Sequence, residues 1–148
     1  MEDENELIAE LTQAALTTAA PDELVVFEET AQEYFADPQA ALTAAKGDAA
    51  VGFGLELAML TPAALAIGSV VLQAVMGMLT EHALTAGGRA LLRKVLRRQA
   101  SAAELGLTVA QAQHLRLVAL QRAHALNLPE AQARQLADSF VHALVAGQ

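Results

Sequence analysis

Asp138 and His142 stand four residues apart, the spacing that puts a carboxylate and an imidazole side by side on one helix face. Such a pair could belong to a metal site or form a surface ion pair, and the ion pair is the expectation. His82, His114 and His124 are scattered and read as surface or cap residues. No glutamate is followed three residues later by a histidine, so the di-iron helix motif is absent. The chain has no cysteine, which excludes disulfides and thiolate metal sites. Gly87-Gly88-Arg89 lacks the Gly-Lys-Ser/Thr that completes a P-loop. Gly52-Phe53-Gly54 has Leu57 where the third glycine of a dinucleotide fingerprint belongs, and no strand precedes it. The expectation is a non-enzymatic protein with no catalytic, cofactor-binding or metal-binding residues and no cofactor.

One acid stands apart. Glu56 is the single charge in an apolar region that runs from 49 to 80. In a membrane, an acid so placed is by default a proton-sensitive or pore-facing group. In a soluble domain it faces solvent on a short helix.

The region around it is the dominant feature of the sequence. From 57 to 80 the chain runs 24 residues without a charge. A stretch of that length either enters a bilayer or forms the central helix of an all-helical domain. Thr61-Pro62 reads as a cap followed by a first-turn proline, which divides the stretch into two helices, a hydrophobic hairpin. The second helix, about 62–86, carries Ala66, Ser69, Gln73, Gly77 and Thr80 at intervals of three or four residues. This stripe of small and polar side chains suits membrane contact or self-association, because small residues let helix backbones come close. It suits tight packing inside a soluble bundle as well. There is no tryptophan, and the one tyrosine, Tyr34, is distant, so the interfacial aromatic belt of a spanning helix is missing.

The net charge of −8 hides an asymmetry. Residues 1–56 hold 13 acids and one base, Lys46, whereas residues 57–148 hold 4 acids and 8 bases. Arg89, Arg93, Lys94, Arg97 and Arg98 follow the apolar stretch directly. They could meet anionic lipid, or the acidic half of this or another copy. Residues 101–116 have a helix-turn-helix flavour. Their first helix would be only about one turn, and the second carries only Arg116 and Arg122 as bases, so nucleic acid is not an expected partner. The acidic N-terminus does not read as a secretory signal.

Other punctuation outlines the remaining helices. The first, about 6–18, places Leu7, Ile8, Leu11 and Ala15 on one face. Pro21 opens the second, with Asp22 and Glu23 suited to its dipole and Leu24, Phe27, Ala31, Tyr34 and Phe35 inward. Asp37-Pro38 starts a third helix that Gly47 ends, and Asp48 caps a fourth over 49–60. Gly87-Gly88 ends the apolar helix and a basic helix spans about 89–100. Thr108 and Gln111 form a capping box for a helix over 109–126, Asn127 takes a left-handed C-terminal position, and Pro129 starts the last helix.

Some segments also look familiar. Glu33-Tyr34-Phe35-Ala36-Asp37-Pro38, Val51-Gly52-Phe53-Gly54 and Leu60-Thr61-Pro62 resemble the N-terminal part of small helical domains in bacterial conflict systems. Leu107-Thr108, Leu126-Asn127-Leu128-Pro129-Glu130 and Leu136-Ala137-Asp138 are similar to the helical tails of bacterial proteins that carry an upstream membrane helix. The resemblance implies a defence or stress role, with membrane perturbation by an effector as one form of it, and no catalytic residues.

The expected fold is all-α, a single bundle of about seven helices in one domain over 1–148. It comprises an acidic part over 1–48, the apolar hairpin over 49–86, and a basic helix with a C-terminal helix pair over 87–148. The expected function is membrane association or insertion through the hairpin, by a self-associating protein of the cytoplasm and inner membrane. The alternative is a soluble cytoplasmic adaptor or homo-oligomerisation module with the apolar helix as its core. In a third form, the acidic helices cover the hairpin and release it at a membrane.

Overall fold

The computed structural model describes residues 2–49, 56–78, 86–97 and 105–145, with side chains from 4–43, 60–78, 90–97 and 105–145. Among these residues the chain forms seven α-helices and no strand. They are α1 (Glu2–Ala19), α2 (Phe27–Ala36), α3 (Pro38–Ala49), α4 (Glu56–Met78), α5 (Ala86–Leu96), α6 (Val109–Ala125) and α7 (Glu130–Val145), with a 3-10 segment over Pro21–Val26. The all-α bundle expected from composition is the fold observed.

Several helix ends fall where the sequence signals them. Thr108 Oγ1 accepts the Gln111 amide at 3.0 Å and the Gln111 side chain accepts the Thr108 amide at 2.9 Å, closing the capping box. Asn127 takes φ 63°, Leu128 N–H reaches the Ala123 carbonyl at 3.1 Å, and Asn127 N–H reaches that of His124 at 3.0 Å. These two bonds make a Schellman motif that ends α6 and turns the chain into α7. Asp37 caps α3 by accepting the Ala40 amide at 3.2 Å, ahead of Pro38.

The apolar hairpin is corrected. Helix α4 is continuous from Glu56 through Pro62 to Met78. A proline near the start of a helix removes one backbone bond, and burial of the long apolar face behind it outweighs that loss. The Gly87-Gly88 pair does not separate two helices either, because it lies in the first turn of α5. Amides there have no intrahelical partner, so glycine costs little. Gly47 likewise lies inside α3, two residues before its end.

Helix α4 is the spine of a single core. It packs against α1, α2, α3, α6, α7 and the 3-10 segment. Its Leu65, Ile67, Val71 and Val75 are fully buried, together with Leu11 and Leu16 of α1, Leu115 of α6, and Leu136, Phe140 and Leu144 of α7. The tightest point is at Gly68. A Cβ built there would lie 2.3 Å from Thr12 Oγ1 of α1 and 3.4 Å from the Phe140 ring. Thr12 is wholly buried, and its hydroxyl has no hydrogen-bond partner among the described residues.

Gly68→Ala is therefore expected to destabilise the fold by about 1–3 kcal/mol, as an overpacked helix contact does. Gly77→Ala, with nothing within 4 Å of a Cβ, is expected to be neutral or to stabilise by up to about 1 kcal/mol through helix propensity. Urea denaturation of the two variants beside the wild type separates them.

Candidate functional site

Three groupings of polar and charged side chains stand out, and α1 or α4 contributes to two of them. The first is a clasp between α1 and α5. Glu6 and Glu10 lie one turn apart on α1, Arg93 is on α5, and Arg97 stands in the turn just past its end, its amide bonded to the Arg93 carbonyl at 3.0 Å. Arg93 Nε lies 3.3 Å from Glu10, its guanidinium also reaches Glu6 at 3.6 Å, and Arg97 Nε meets Glu10 at 2.5 Å. The opposite side of α5 turns Leu92 and Val95 into the core. Two of the five expected basic contact residues, Arg93 and Arg97, are thus held by the protein's own acidic helix. Lys94 is exposed. Arg98 and the side chain of Arg89 lie outside the described residues.

The second grouping is at the start of α4. Glu23, in the 3-10 segment, is 4% exposed, and its carboxylate accepts a hydrogen bond of 2.5 Å from Thr61 Oγ1. The backbone amides of Leu60 and Thr61 donate to it as well. A side chain from another element thus gathers donors just ahead of Pro62. Burial pushes its pKa up to about 7, against the lowering effect of these three donors. The expected proton-sensitive acid, Glu56, has its side chain outside the described residues. Glu23 went unread in the sequence because Pro21-Asp-Glu looks like an acidic first turn. Its spacing from Phe27, Ala31 and Tyr34 puts it on their buried face, and that register is the signal that could have found it.

The third grouping joins α6 to α7. Asp138 pairs with Arg116 Nε at 2.6 Å, so the carboxylate expected to meet His142 on its own helix meets a guanidinium of the neighbouring helix α6. Glu130 meets His124 at 2.7 Å and Arg134 at 2.9 Å. Hydrogen bonds from His124, then from Arg134, hold its carboxyl below the usual range. In the interior nearby, burial raises the Tyr34 phenol while Arg122 opposes that shift.

The stripe on α4 is split by the fold. Ala66 is buried, Ser69 is half-buried, Gln73 and Gly77 are exposed, and Thr80 lies outside the described residues. The stripe runs out of the core onto an open face. Among the described residues no group of three or more His, Cys, Asp or Glu side chains is placed to hold a metal ion.

The chain matches no family model, and comparisons with curated proteins and with solved structures return no match.

Because the α1–α5 clasp is partly exposed, its worth is that of a surface network, about 0.5–1 kcal/mol. Glu10→Gln is expected to cost that much at low salt and almost nothing near 1 M salt, where the screening length is about 3 Å. Melting curves at the two ionic strengths check it.

Proposed function

We propose that this chain is a non-enzymatic helical module that acts by contact, with other proteins or with copies of itself, and that α4 is the spine of its own core. The burial of α4 carries this reading. The helix has one apolar segment of membrane-spanning composition, Leu60–Met78, and 61% of its most apolar window is buried inside the bundle. Eight charged side chains and His124 are also used on one another: Arg93 and Arg97 with Glu6 and Glu10, Arg116 with Asp138, and Glu130 with His124 and Arg134. This reading assigns contact with a partner copy to the open face of α4 that carries Gln73 and Gly77.

One observation favours a second reading, membrane association in the defence or stress setting that the sequence resemblance implies. Helix α1 packs its apolar side on α4 and with its acidic side holds Arg93 of α5 and Arg97 just past the end of α5. An anionic lipid surface that competes for Arg93 and Arg97 therefore acts on the helix that covers α4. In this reading the protein is made in the cytoplasm and meets the inner membrane when α1 is displaced.

Vesicle flotation decides between them. A contact module is expected to remain at the bottom of the gradient with both neutral and anionic vesicles, and to leave cell membranes in a carbonate wash. It is expected to show a multiple of the chain mass by light scattering, with or without detergent. Flotation with anionic vesicles alone, lost at high salt, would establish the second reading in its place.

A further inference from the structure

We propose that Glu23 is a proton-gated clasp that fastens the 3-10 segment, and with it α2, to the start of α4, closed when its carboxyl is protonated and loosened when it ionises. The geometry carries this. The carboxyl is almost fully buried, and it joins two elements far apart in sequence through Thr61 Oγ1 and the amides of Leu60 and Thr61. The 3-10 segment leads directly into α2, whose Phe27, Ala31 and Tyr34 belong to the core.

What is missing around the carboxyl matters as much. The elements packed against the 3-10 segment are α1, α2 and α4. None of the three contains a lysine, arginine or histidine. Their ionisable groups are acids, apart from the buried phenol of Tyr34. Asp22, Glu28 and Glu29 are exposed to solvent, Glu6 and Glu10 are turned toward α5, and the side chain of Glu56 is undescribed. Among the described residues of these elements an ionised Glu23 thus has hydrogen bonds but no countercharge, and burial without one disfavours the charged form.

The sign follows from linkage. The folded chain holds this proton up to about pH 7, whereas an ordinary glutamate releases it near 4.5. Between those values the folded state binds the extra proton, so acid stabilises the closed form. The contribution is complete below about pH 4.5 and is lost as pH rises to about 7. Acid therefore tightens this contact. An acid-triggered release of α4 would have to act through other groups. The inference holds under either reading of the function.

The test is amide exchange on the intact chain between about pH 5 and about pH 8.5, corrected for the intrinsic pH dependence of exchange. Protection of the Leu24, Leu60 and Thr61 amides is expected to fall by up to the order of 100-fold across that range, while amides of α6 and α7 change far less. Glu23→Gln keeps the shape without the charge and is expected to abolish the local fall. The same pH dependence in Glu23→Gln, or a loss of protection shared equally by α6 and α7, overturns the proposal. If that variant does not fold, the carboxyl carbon of Glu23 in the wild-type chain is titrated by NMR. A midpoint near 7 supports the clasp and one near 4.5 overturns it.

Discussion

A helix that is apolar on most of its sides must be covered on most of its sides, and this chain has few large side chains to do it. It holds four phenylalanines, one tyrosine and no tryptophan. A core built from alanine, leucine and valine fills its volume only if the helix axes come close. Gly68 is where that closeness is greatest, with Thr12 from α1 and Phe140 from α7 against the same backbone. The run of buried small residues that precedes it, Ala63, Ala64 and Ala66, serves the same end. The other helices take their positions around this contact: α6 and α7 as a hairpin, α2 and α3 packed on each other and on α4, and α5 against α1 and α7.

How legible this was depended on how local the cause is. Thr108, Gln111, Asn127 and the Asp37-Pro38 pair act on their immediate neighbours, and each does in the fold what its type and position imply. The buried face Leu7, Ile8, Leu11 and Ala15 was equally plain from its period. Pro62 misled because its local meaning, a helix start, is overridden by tertiary contacts that the sequence does not display. The Glu23 carboxyl meets α4 at Leu60 and Thr61, and Leu65, Ile67 and Val71 behind them give the helix its reason to be one piece. Gly87 and Gly88 misled in the opposite way, since a first turn tolerates what an interior does not.

The candidate site residues divide along the same line. The basic cluster was visible, but its partner was not. The −12 of the first 56 residues suggested an acidic cover, and only the fold reduces it to Glu6 and Glu10. Asp138 has Arg134 and His142 one turn away along its own helix and pairs with Arg116 across the hairpin, as side chains do when two helices are fixed side by side. Charge in this protein does two kinds of work. At the surface it ties α1 to α5 and α6 to α7, where each pair is worth little and water is near. At Glu23 a carboxyl is shut away from water, where burial disfavours the charged form.

The place of α4 in the chain has a further consequence. A polypeptide is made from its N-terminus, at about 5–20 residues per second. When Met78 has been added, α7 still lies more than 50 residues in the future, which is several seconds of synthesis at that pace. During that interval the described elements that already exist are α1, the 3-10 segment, α2 and α3. The same elements supply Thr12, which meets α4 at Gly68, and Glu23, which meets it at Thr61. The order of the helices along the chain is thus also an order of protection on the ribosome, with the cover made before the helix it covers.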